Sequence, residues 1–193
     1  MASSERGGGG GERGRSDQAK ALPGVREADV KPYVLAIATG DWHLWDTPPL
    51  FRENEPDWWV AMQRPIDQIK ALQNKHSGCP IIFDGDLFDH WKATPELINW
   101  AIKHVPHMYA IPGQHDLPYH RYDQIHKSAY WTLVEAGKLT DLKPNGFHPV
   151  GRLMLHAFPW GHEVKPTNSH GLDGFNVAVV HAYCWHKGYS YPG

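Results

Sequence analysis

PIIFDGDLFDH, from Pro80 to His90, is the stretch whose reading decides the fold. It opens as a short continuous apolar run, the pattern of a strand buried on both faces of a parallel sheet. It then breaks at Gly85-Asp86. Alone, a Gly-Asp after a strand is an ordinary turn. Working outward, the same pattern recurs. Upstream, YVLAIAT starts at Tyr33 and runs into Gly40-Asp41-Trp42-His43. Downstream, HMYAI ends in Pro112-Gly113-Gln114-His115-Asp116, and FNVAVVH delivers His181. RLMLHAFPW, ending at Trp160, is a further strand between the last two.

Helical patterns fill the gaps. From Asp57 to Lys75, residues Trp59, Met62, Ile66, Ile69 and Leu72 recur at three- and four-residue steps and form one apolar face. Pro65 is expected to kink this helix or to mark its true start. Thr94-Pro95-Glu96 opens a second helix, with Thr as cap and Pro at the first helical position. A third is expected from Tyr122 to Ala136, ending at Gly137. Strands alternating with helices predict an α/β layered fold whose first sheet is largely parallel. In such sheets ligands bind beyond the carboxyl ends of the strands. Four strand ends here carry Asp or His: Asp41 and His43, Asp86, His115 and Asp116, and His181.

Composition narrows the class. The 193 residues suit one domain, and nine Trp within 41 % hydrophobic residues supply core or stacking surface. Net charge is −2, so no global basic field draws in nucleic acid. The 14 His raise the expectation of a metal site. Only Cys79 and Cys184 are present, too few for a disulfide framework and in keeping with a reducing, cytoplasmic setting. No apolar run approaches a membrane span, and the N-terminus lacks the apolar core of a signal peptide. Residues 1–30 read as a disordered Gly-, Ser- and charge-rich tail, with the folded domain at 31–193.

Taken singly, DWH, GDLFD, GQHD and VVHAY are weak signals; their joint occurrence in order, each after an apolar strand, is not. Mixed Asp and His donors suit manganese, iron or zinc better than calcium. Two divalent ions ~3.5–4 Å apart clamp a phosphate ester and lower the pKa of a bridging water. Holding two cations so close needs a shared carboxylate.

This order of motifs resembles the calcineurin-like metallophosphoesterases, whose pattern is D-x-H, G-D-x-x-D, G-N-H-D/E, a lone H, and G-H-x-H. The resemblance covers Tyr33 onward. It implies an αββα sandwich and two divalent ions, manganese first, with iron or zinc as alternatives. It implies Asp41 and His43 as ligands of one ion and Asp86 as the bridging carboxylate. Gln114 and His181 become ligands of the other ion. His115 would approach the phosphate as the catalytic residue, Asp116 would orient its imidazole, and Asp89 would support the site.

Two departures stand out. GQHD replaces GNHD, which lengthens one ligand arm by a methylene. The closing G-H-x-H does not occur in the chain; the expected explanation is a sandwich incomplete at its C-terminus. GHEV at Gly161–Val164 lacks the second His and reads as a turn, with His162 lining the site as the alternative; His186 reads as structural or exposed. GDLFDH, IPGQHDLP and LHAFPWG are similar to SbcD-type DNA-repair nucleases and their phage-encoded relatives. That likeness implies manganese-dependent cleavage of DNA ends, DNA as substrate, an SbcC-type ATPase as partner, and brings a homodimer into consideration. Trp42, Tyr119 and Trp160, near ligand positions, are candidates for stacking on bases, and His120, Arg121 and Lys127 for phosphate contacts. Trp59 belongs to the core. A small-substrate phosphoesterase and a non-catalytic fragment are the alternative readings.

Overall fold

The structure, a computed structural model, describes residues 33–167 and 174–184; the expected tail, Trp185 and His186 lie outside them. The run at Ile81 forms strand β2 (Ile81–Phe83), every residue of it buried. Strand β1 (Ile37–Thr39) pairs with it in parallel, Ala38 opposite Ile82. Strand β3 (Met108–Ala110) pairs on its other side, and β4 (Leu139–Asp141) pairs with β3, all parallel. The order is therefore β1-β2-β3-β4, and all these carboxyl ends open on one edge.

Three helices contribute to the core on one face of this sheet. Helix α1 (Trp58–Lys75) starts at Asp57, whose carboxylate accepts from the Val60 amide at 3.1 Å. Helix α2 (Pro95–His104) starts as expected at Thr94, whose hydroxyl accepts from the Leu97 amide. Helix α3 (Ala129–Glu135) follows a 3-10 segment at Tyr122–Lys127. Met62 and Ile66, Leu97 and Ala101, and Tyr130 and Leu133 pack with Phe83, Met108 and Ala110 into one buried cluster.

A second sheet covers the opposite face. Strand β5 (Phe147–Val150) is antiparallel to β6 (Leu153–Phe158), which is parallel to β7 (Phe175–Val180). Ile82, Ile111 and Leu142 from the first sheet and its exits meet Val150, Leu155, Ala157 and Val179 in a second core. The fold is thus an α/β sandwich, as expected. Among the described residues all helices belong to the first core and none to the second.

Several expectations are corrected. The helix expected over Tyr122–Ala136 is broken at Ser128, which is extended (φ −97°, ψ 159°) and caps α3 by accepting from the Trp131 amide. Serine's competing side-chain bond makes it a helix starter rather than a helix interior. Pro65 neither starts nor ends α1 but lies inside it. Strand β1 is not buried on both faces: Ala38 is exposed, because β1 is the sheet edge among the described residues. Strands β4 and β5 were not expected; β4 has three residues and β5 carries Pro149. Trp59 is partly buried against the first core, as read. Cys79 and Cys184 are free thiols, one buried and one exposed. No helix among the described residues is long and apolar enough to cross a membrane.

Candidate metal centre

Beyond the sheet edge, the first two motif loops are stitched together by their backbones. The Asp41 amide donates to the Gly85 carbonyl at 2.9 Å, His43 to Asp86 at 3.1 Å, and Leu44 to Leu87 at 2.9 Å. This continues the parallel pairing of β1 and β2 past the strands. It also places Asp41 (φ 52°), His43 (φ 44°) and Asp86 (φ 56°) in the left-handed region, which costs roughly 1–3 kcal/mol for a residue with a side chain. Strain of that kind persists only where surrounding bonds impose it, and here it turns three donor side chains into one cavity.

Asp86 is the hub. It is 1 % exposed, and its Oδ1 accepts from the His115 amide at 2.9 Å. Its carboxylate belongs to two donor groups: His43, Asp86 and His115 in one, Asp41, Asp86 and His181 in the other, with donor atoms within 4.8 Å of each other in each. His43 Nε2 also lies 4.0 Å from Asp41 and 3.8 Å from Asp86. Gln114 Oε1 lies 2.7 Å from His181 Nε2. All five expected ligands therefore converge. His115 sits with His43 in one group and Asp41 with His181 in the other, and His43 Nε2 stays within 4.0 Å of Asp41, its expected partner.

The two imidazoles are oriented by main-chain carbonyls. His181 Nδ1 donates to the Asp84 carbonyl at 2.7 Å, and His115 Nδ1 to the Asp89 carbonyl at 2.6 Å. A carbonyl only accepts, so each Nδ1 carries a proton and Nε2 is the nitrogen left for a metal or a phosphate. Asp116 does not orient His115, contrary to expectation. Fully buried, it accepts from the Leu87 and Gly113 amides through Oδ2 and from the Phe88 amide through Oδ1. It clamps the second motif loop to the third. Burial lifts its carboxyl to about 6, against the pull of those three amides.

The electrostatics fit bound cations. Burial, then the charge of Asp41, raises the Asp84 carboxyl, and one buried oxygen of Asp84 has no hydrogen-bond partner. Burial alone would raise Asp86 as well, but the imidazole of His181 and the His115 amide outweigh it and hold its carboxyl low. His181 is raised: burial lowers it, but Asp86 and the Asp84 carbonyl more than compensate. Three crowded carboxylates with imidazole nitrogens aimed among them form a donor set suited to divalent transition metals. Asp84 was missed in the sequence; a second acid two positions before Asp86 was the available signal.

The loops can approach this closely because of two glycines. A side chain at Gly85 (φ +119°) would meet His181 Nδ1 at 2.3 Å, and one at Gly113 would meet Asp86 Oδ1 at 2.1 Å. Around the rim, the Trp160 ring lies 6.3 Å from that of His181, Trp42 is partly buried edge-on to Phe83, and Tyr119 is exposed. At the surface Arg121 pairs with Asp123 and Lys127 with Gln124, and His120 bonds the Gln114 carbonyl. GHEV forms a turn at Gly161 (φ 81°), with the His162 ring against Tyr122 rather than at the centre.

The sequence profile of the calcineurin-like phosphoesterases matches residues 35–185. No curated protein matches the chain.

Proposed function

The chain belongs to the calcineurin-like phosphoesterase family, and from that premise we propose that it is a two-metal phosphodiesterase acting on DNA, with manganese as its metal. Metal-dependent hydrolysis of phosphate esters follows from the family. The observation that carries the two-metal reading is a single buried carboxylate, Asp86, shared by two donor groups. Asp41, His43, Asp86, Gln114 and His181 would hold the ions. When bound, the metal pair supplies positive charge against the phosphoryl oxygens and lowers the pKa of water beside it.

The chain's own residues do the rest. The carbonyls of Asp84 and Asp89 fix which imidazole nitrogen is available on His181 and His115. His115, in its imidazolium form, carries a proton on Nε2 for the leaving oxygen. Asp116 keeps the loops that bear Asp86 and His115 in register. The DNA reading is supported by the flanking stretches GDLFDH, IPGQHDLP and LHAFPWG, and by aromatic rings beside the donors.

The purified chain, extended through any downstream coding sequence, is incubated with manganese and linear duplex DNA, a phosphomonoester or a cyclic nucleotide. Metal-dependent release of nucleotides, absent in Asp86→Ala, is expected. Cleavage of small substrates alone would refute the DNA reading, and near-normal turnover by Asp86→Ala would refute the bridging role.

A further inference from the structure

The loop between His43 and helix α1 does more than connect. Trp45, Pro48, Pro49, Phe51 and Trp58 line a cleft of about 530 Å³ whose inner wall includes His43 and Asp89. The cleft thus shares His43 with the donor group of His43, Asp86 and His115. Its walls are fixed. The Trp58 indole donates to the Trp45 carbonyl at 2.8 Å, and the Arg52 guanidinium lies 5.1 Å from the Trp58 ring centre while bonded to Glu55 at 2.7 Å. Thr94 donates to Asp46 at 2.9 Å and ties the same loop to the start of α2. Phe51, by contrast, is 86 % exposed at the mouth of the cleft. A large aromatic held out in water at the edge of an aromatic slot is poorly explained by packing, since it buries little against the described residues.

We infer that this cleft receives the nucleobase next to the scissile phosphate, stacking it among Trp45, Trp58 and Phe51. The inference rests on the phosphodiesterase reading and deepens it. The shared wall at His43 and Asp89 puts a base in the cleft beside a phosphate at the metal centre. Aromatic walls take any base by its face, so the cleft confers a demand for an unstacked base rather than for a sequence. A base held in a paired, stacked duplex cannot enter, so single-stranded or frayed ends are the form selected.

The test uses the full chain with indole nitrogens labelled for NMR, titrated with deoxyadenosine and, separately, with 2-deoxyribose. Both probes are neutral and need no metal. Deoxyadenosine is expected to shift the Trp45 and Trp58 indole signals and to bind at least roughly tenfold more tightly than the sugar, the scale of one aromatic stack. Phe51→Ala, which removes an exposed ring and leaves the core intact, should weaken deoxyadenosine binding about fivefold or more. Phe175→Ala, an exposed ring at the start of β7 and outside the cleft, should not. Equal affinity for the two probes, or equal losses in the two variants, would overturn the inference. DNA hydrolysis with manganese is read in parallel. Hydrolysis without base binding sinks the cleft and spares the phosphodiesterase. Base binding without hydrolysis sinks the DNA reading and leaves the cleft as a base site.

Discussion

Asp116 shows how a motif residue was legible in position but not in role. It follows His115 directly, which invited the reading that it orients the imidazole. Adjacent side chains leave the backbone in different directions, and that of Asp116 points into the protein, to three backbone amides. Asp116→Ala would orphan those donors, each costing about 1–3 kcal/mol. We expect at least ~3 kcal/mol of lost stability in urea unfolding; a loss under 1 kcal/mol would contradict the clamp. His115→Ala is expected to fold normally, because the structural bond of that residue is made by its amide, and to slow hydrolysis by ~10²–10⁴-fold. Loss of bound metal in that variant, read by titration, would instead make His115 a ligand, which its place beside His43 allows. The donors themselves were legible, since each follows an apolar run. Asp84 was not, because its one signal, an acid two positions before Asp86, gains meaning only once the carboxylates around it are seen.

Elements with strong punctuation were read closely. Thr94-Pro95 and Asp57 begin their helices where cap chemistry puts them. The break at Ser128 was hidden because the apolar spacing continues across it, and periodicity does not register one extended residue. Strands β4 and β5 were hidden because three or four residues make no alternation, and only pairing with β3 and β6 defines them. Pro65 is the opposite case, a breaker overridden by context. It is exposed within α1, and its missing N–H leaves the Ala61 carbonyl without its helical partner. Pro65→Ala should therefore stabilise the protein by about 1–2 kcal/mol, the helix gain less the entropy returned to the unfolded chain. An unchanged or lower urea midpoint would mean that the proline's bend is itself needed for packing on the first sheet.

Across the whole molecule, one sandwich supports one site, and the two should respond together. Removing Leu155, fully buried between the sheets, should cost about 2–5 kcal/mol as Leu155→Ala. It should also weaken metal binding, since β7 carries His181 and packs in the same layer. The site in turn should act on the fold. Asp41, Asp84 and Asp86 repel one another without cations, so saturating manganese should raise the melting temperature by roughly 5–10 °C at a hundredfold excess over the dissociation constant. No shift, or an equal shift in Asp86→Ala, would detach metal binding from these carboxylates. The alternation of strands and helices foretold this layered body, whereas the outer sheet's pairing rests on contacts between segments far apart in the chain. The two glycines that let the loops touch have a wider consequence. His43, Asp86 and His115 come from the ends of strands of the first sheet, whereas the group of Asp41, Asp86 and His181 is complete only when both sheets are assembled. A polypeptide cut short of residue 181 keeps His43, Asp86 and His115 but lacks the second donor group. The shared role of Asp86 in two donor groups is therefore a property of the assembled fold and not of any one segment.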